Sequence, residues 1–309
     1  MSGADNVVRG VVVRASVVPE ARFIAVKTVV QFADPAHCSR MIASVKTTTT
    51  MRIHYDVHEG NGPYLLLVHG FLMSRAQWLP NLAALSRVCR PVVVELWGHG
   101  RSPAPRDATS YEPAGYVDQF EAIREALGVE RWWMCGYSLG AGLTILYALA
   151  HPQRVFGHAF TNSTSAFADA EQIAAWRAGA DEAASRIESG GLPVIERMPV
   201  HPRHAKRLPA DLYAALMTES KRLDPAGIAN TLRYTNPNVS VRARIAENDV
   251  RALLICGRSE ARFEPHRDYA ASRMPHLSIV DLAVGHAVNM EDSSGFDRAL
   301  SHFIDGRVT

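Results

Sequence analysis

The stretch Trp132-Trp133-Met134-Cys135-Gly136-Tyr137-Ser138-Leu139-Gly140-Ala141-Gly142 leaves this chain few ways to fold. An apolar, aromatic run leads into Ser138, and the apolar run Leu143–Ala150 follows, closed by Pro152. That order reads as a buried strand, a sharp turn carrying the serine, and a buried helix. Gly136 and Gly140 flank the serine, where strand and helix backbones must approach closely. At such a turn the hydroxyl leaves the core, and the N-terminus of the helix favours negative charge developing beside it.

Other buried strands surround this one. Met51–Val57 alternates like a half-exposed strand, and Gly60-Asn61-Gly62-Pro63 makes a turn. Tyr64–Val68 and Pro91–Glu95 are short continuous apolar runs, the pattern of strands covered on both faces. Trp78, Leu82 and Leu85 recur at helical spacing, with Pro80 in the first turn. Val117, Phe120, Ile123 and Leu127 give another helix, stopped by Gly128. Strands follow over 154–161, 251–257 and 277–281, and a helix closes the chain over about 293–303. Alternation of this kind predicts an α/β fold: a mostly parallel central sheet flanked by helices.

The alternation stops between 165 and 235. That segment shows helical patterns separated by Gly190-Gly191, Pro199, Pro202 and Pro209, and Asp224-Pro225 reads as an N-cap with a first-turn proline. Unstructured connections beyond ~15 residues are uncommon, so the segment is expected to be a helical cap inserted into a core formed by 51–164 and 236–309. Residues 1–50 break the pattern differently. Val7–Val30 is rich in valine, but Arg9, Arg14, Glu20, Arg22 and Lys27 interrupt it, and it lacks the apolar core and cleavage site of a signal peptide. Met41 and Met51 would both serve as starts. The extension is assigned no role.

Composition narrows the partners. Of 309 residues 47% are hydrophobic and 21% charged, which suits a soluble protein with a large core. A formal net charge of +2 gives no general attraction to nucleic acid or anionic membrane, and no apolar run approaches a membrane span. Cys38, Cys89, Cys135 and Cys256 form no C-x-x-C pair; Cys135 and Cys256 sit in strand-like runs, as buried free thiols would. That usage fits a reducing, cytoplasmic setting, and no metal site is expected.

Five short motifs, each after an expected strand, carry a resemblance. They are His69-Gly70-Phe71, Gly98-His99-Gly100-Arg101-Ser102, Gly136-Tyr137-Ser138-Leu139-Gly140, Gly257-Arg258-Ser259-Glu260 and Gly285-His286. In this order they make 51–304 similar to the α/β-hydrolase superfamily. The resemblance implies that Ser138 is the nucleophile, with His286 as its base on the loop after the last strand. A serine hydroxyl needs such a base within hydrogen-bond reach. A carboxylate should hold the imidazole's tautomer. The family's usual position for it, three residues beyond Gly257 and commonly aspartate, holds Glu260 here. Glu264 and Asp281 are the rival carboxylates. The backbone N–H groups of Phe71 and Leu139 are the implied oxyanion hole. His69 and His99 are expected to be satisfied core histidines, and Glu95 to serve structure.

Apolar residues of the insertion, among them Phe167, Ile187, Ile195 and Met217, are expected mostly to form core. Trp176, Met198 and Tyr213 are candidates for the substrate pocket. The resemblance implies a cofactor-free hydrolase of a moderately sized apolar carboxylic ester or lactone. Carbon–carbon bond hydrolysis, perhydrolysis, cofactor-free oxygenation and a non-catalytic small-molecule receptor are the alternatives on the same scaffold. A serine at 138 disfavours the aspartate-nucleophile dehalogenases and epoxide hydrolases.

Overall fold

The computed structural model describes residues 51–306, so the extension with Cys38 lies outside the described residues. Seven strands form one sheet: β1 (His54–Val57), β2 (Tyr64–Val68), β3 (Arg90–Glu95), β4 (Trp132–Gly136), β5 (Val155–Thr161), β6 (Ala252–Gly257) and β7 (Leu277–Leu282). Their spatial order is β1-β3-β2-β4-β5-β6-β7. Only β1 runs antiparallel, against β3, and the other neighbours are parallel. Six parallel strands therefore end at one edge, and crevices outside the carboxyl ends of such strands are where open α/β sheets bind ligands.

The helices are α1 (Leu79–Leu85), α2 (Pro113–Ala126), α3 (Leu139–Ala150), α4 (Ala170–Gly190), α5 (Leu192–Ile195), α6 (Ala210–Ser220), α7 (Pro225–Asn230), α8 (Glu264–Arg273), α9 (Val288–Glu291) and α10 (Ser293–Ile304). The apolar runs of β2 and β4 are buried on both faces because helices cover both. Leu65, Leu67 and Cys135 pack with Trp78, Phe296 and Phe303 on one side; Leu66, Val68 and Met134 pack with Phe120, Leu143 and Tyr147 on the other. Cys89, Cys135 and Cys256 are buried free thiols.

Between β5 and β6 the chain is helical, carrying α4 to α7. Asp169 caps α4 by accepting the Gln172 N–H, and Asp224 caps α7 by accepting that of Gly227. Ala184, Ile187, Ile195, Leu223 and Ile228 form a separate apolar cluster that includes Leu72, from the loop after β2. Through Leu72 the insertion packs directly on the loop next to the site.

Candidate active site

Ser138 stands between β4 and α3 with φ 51° and ψ −115°, a left-handed conformation unusual for a non-glycine residue. Two glycines make the turn possible. A Cβ at Gly136 would lie 2.4 Å from the Gly140 carbonyl oxygen, and one at Gly140 would lie 2.4 Å from that of Val68. The half-buried serine lines a cavity of about 630 Å³, together with Phe71, Leu139 and His286.

The loop after β2 is set by two buried histidines. His69 donates from Nδ1 to the Gly70 carbonyl (2.8 Å) and accepts the Leu96 N–H at Nε2 (3.0 Å). His99 donates from Nδ1 to the Trp97 carbonyl (2.9 Å) and accepts the Leu72 N–H at Nε2 (3.3 Å). Both must be neutral to accept there. Burial drives their pKa values down, His69 to about 4 and His99 to about 3, the latter helped by its proximity to His69. Leu72 is held at φ 59°, and Gly70 donates to Gln77 Oε1 at 3.3 Å. Among the described residues, the backbone N–H groups of Phe71 and Leu139 have no acceptor. Two unpaired donors beside a half-buried serine hydroxyl can receive an oxyanion.

His286 lies on the loop between β7 and α9. Its Nδ1–H donates to Glu260 Oε2 at 2.7 Å, and in a neutral imidazole held this way Nε2 carries the lone pair. Glu260 follows β6, and its side chain is only 7% exposed. Burial alone would raise its pKa. Hydrogen bonds from His286, Arg262 and Asn162 overcome that and hold it at about 2, so the carboxylate is ionised. The rival carboxylates are engaged elsewhere. Glu264 pairs with Arg258 at 2.9 Å, and Asp281 pairs with Arg267 at 2.7 Å. Ser138 and His286 line the same cavity, and among the described residues no hydrogen bond joins Ser138 Oγ to His286.

A family model described as alpha/beta hydrolase fold matches residues 63–293. The chain belongs to that family. Among curated relatives, this hydrolase is 26% identical over 280 residues to a putative 2-succinyl-6-hydroxy-2,4-cyclohexadiene-1-carboxylate synthase of Bacillus subtilis (strain 168), covering 85% of this chain and 99% of the relative. It is 24% identical to an uncharacterized carboxylesterase of the same organism, covering 89% of each. Its fold superposes on the structure of MenH from S. aureus with a TM-score of 0.73 at 19% identity, covering 82% of this chain and 98% of the other.

The cavity wall divides by origin. Trp176 lines it, with Gln172 from the same helix. The other two pocket candidates stand elsewhere. Met198 packs on the apolar cluster of the insertion, and the Tyr213 hydroxyl donates to the Arg203 carbonyl at 3.3 Å. Met198 stands in the bend after α5 and Tyr213 on α6, and neither lines the cavity. Met73, Leu208, Arg262, His266 and Met290 also line the cavity. No sequence motif marks them, because tertiary packing alone gathers them.

The expected core roles agree with the contacts. Glu95 is fully buried and paired with Arg101, which also reaches Asp56. Among the described residues no helix is long and apolar enough to cross a membrane, and no cluster of His, Cys, Asp and Glu could hold a metal ion.

Proposed function

We propose that this hydrolase cleaves a carboxylic ester or lactone of moderate size through an acyl-enzyme on Ser138. One observation carries the reading: the 2.7 Å bond from His286 Nδ1 to Glu260 in the cavity that also holds Ser138. In this reading the bond fixes the tautomer whose Nε2 can take the serine proton. Ser138 Oγ attacks the carbonyl carbon as its proton passes to Nε2. The oxygen, now negative, lies against the Phe71 and Leu139 N–H groups. Collapse breaks the ester C–O bond, and imidazolium protonates the departing alcohol. Water, deprotonated by the same imidazole, then releases the acid and restores the serine.

The substrate is a small molecule with an apolar part, since Phe71, Met73, Trp176, Leu208 and Met290 face a cavity of about 630 Å³. The name of the 24% relative supports ester chemistry. A second reading, action on a cyclohexadiene carboxylate, is supported by the 26% relative, which matches along 99% of its length.

The deciding experiment screens purified protein against aryl esters of graded acyl length and against lactones. In parallel a serine-directed phosphonate labels the enzyme, and the modified residue is mapped. Turnover with stoichiometric label on Ser138 is the expected result. Label on another residue, or no hydrolysis across the series, would overturn ester cleavage and leave the second reading to be assayed directly.

A further inference from the structure

At the carboxyl end of β5, one residue along from Thr161, stands a side chain that touches the acid without facing the cavity. Asn162 is fully buried. Its Nδ2 donates to the Gly257 carbonyl and to Glu260 Oε2, both at 2.9 Å, while its Oδ1 accepts the Gly257 N–H at 2.9 Å. One amide thus clasps both backbone groups of Gly257, the last residue of β6, and spends its remaining donor on the carboxylate three residues later. The oxygen it holds is the one His286 uses. The other oxygen, Oε1, takes Arg262 Nε at 2.7 Å, but that guanidinium is 72% exposed.

We infer that Asn162 is a positioning residue: it selects Glu260 Oε2 as the acceptor for His286 and fixes where that oxygen lies. The inference rests on the proposed roles of Ser138, His286 and Glu260. Glutamate has one more rotatable bond than the aspartate more usual at this position, so its carboxylate has more ways to miss the imidazole. A buried donor 2.9 Å away removes that freedom. Its partner bonds to Gly257 anchor the amide to the backbone, so the donor cannot drift with the side chain it restrains. Arg262 cannot substitute, because an ion pair to a solvent-exposed guanidinium holds geometry poorly.

A purely architectural role, tying β5 to β6, accounts for the two Gly257 bonds but not for the third. The two roles separate in a double-mutant cycle of Asn162→Ala and Glu260→Gln, reading kcat and KM on the best ester. If Asn162 acts through Glu260, Asn162→Ala alone lowers kcat about 10–100-fold with KM little changed, since small misplacements of a catalytic group cost that much. In the Glu260→Gln background the same substitution then costs under about threefold, because the group it positions has already lost its charge. An equal loss in both backgrounds, or a single variant within about twofold of the parent, overturns the inference while leaving the acid in place. If Glu260→Gln itself is silent, the acid assignment fails, and the role of Asn162 with it.

The downfield proton resonance of His286 Nδ1–H gives a readout that needs no turnover. Asn162→Ala should shift and broaden it while circular dichroism stays native. An unchanged resonance in the folded variant overturns the inference. Should the alanine variant not fold, Asn162→Ser keeps a polar group beside Gly257, still lacks the reach to Glu260, and is read in the same two ways.

Discussion

Two regions meet at the cavity, and they are built differently. The carboxyl edge of the sheet supplies Phe71, Ser138, Glu260 and His286 from the ends of β2, β4, β6 and β7. Each is held by short-range geometry: a positive φ at Ser138, neutral histidines around the Phe71 loop, and a part-buried hydrogen bond from His286 to Glu260. The helical insertion supplies Trp176, Gln172, His201 and Leu208, which hang from α4 and from the turns before α6. They sit on helices and turns rather than at the ends of strands. Chemistry should therefore fail sharply when the edge is altered, whereas the insertion should tune which molecule is accepted.

The sharpest way to break that contrast is Ser138→Ala. It should lower kcat by at least about 10⁴-fold while leaving the melting temperature within a few degrees, because only a half-buried hydroxyl is lost. Hydrolysis near the parent rate in this variant would remove the edge from the chemistry altogether. Next comes Glu260→Gln, which keeps shape and loses charge. The expected fall is about 10²–10⁴-fold in kcat, since an amide can leave the imidazole in the wrong tautomer. Glu264→Gln is the control, because its partner is Arg258 and not His286. It should stay within about threefold of the parent. Steady-state kinetics on one ester, with circular dichroism for folding, ranks the three; a crippled Glu264 variant beside a near-normal Glu260 variant would move the acid.

For the insertion, Trp176→Ala should raise KM about 3–10-fold for a bulky ester with kcat within about twofold, the signature of lost uniform binding. A short acetyl ester should feel much less. If kcat falls and KM holds, Trp176 belongs with the edge in function, and the contrast fails at that point.

The same contrast explains what could be read from the sequence. The sheet was legible because each buried strand is a short apolar run bounded by glycine or proline, and because the site motifs follow strands at fixed offsets. Glu260 is singled out by such an offset. Trp176, Met198 and Tyr213 are indistinguishable in sequence, all three being large side chains in a segment of helical pattern, and only Trp176 lines the cavity. Which of them turns to the cavity depends on helix crossings that spacing along one chain does not encode. Asn162 carries no sequence motif of its own. Its three bonds join residues about a hundred positions apart, a pairing that exists only once β5 and β6 lie side by side.

The smallest expected effect lies behind the edge, where polar groups connect α10 to the Phe71 loop. Asp297 Oδ1 accepts from Asn81 Nδ2 at 2.8 Å; Asn81 also bonds Asn289, whose Nδ2 reaches the Gln77 carbonyl, and Gln77 Oε1 accepts the Gly70 N–H. Burial lifts the Asp297 pKa from 3.8 to about 7, against the donor from Asn81 and with help from Asp292. A carboxyl raised on folding contributes stability that is fully present below its unfolded pKa and is lost as pH rises through the folded one. The window here runs from 3.8 to about 7. Above it the folded protein carries a partly buried carboxylate. Asp297→Asn keeps an acceptor for Asn81 and has no charge to bury, so it should raise the melting temperature above pH 7. Solvent screening of this incompletely buried group reduces the gain to about 1 kcal/mol, or roughly 2–4 °C. The gain should shrink as pH falls toward 4, while kcat stays unchanged because Asp297 does not line the cavity. Thermal melts of parent and variant across that range test the slope. A difference independent of pH would mean that Asp297 does not titrate in the window, and a loss of kcat would mean that the polar chain from α10 to Gly70 sets the geometry of the edge itself.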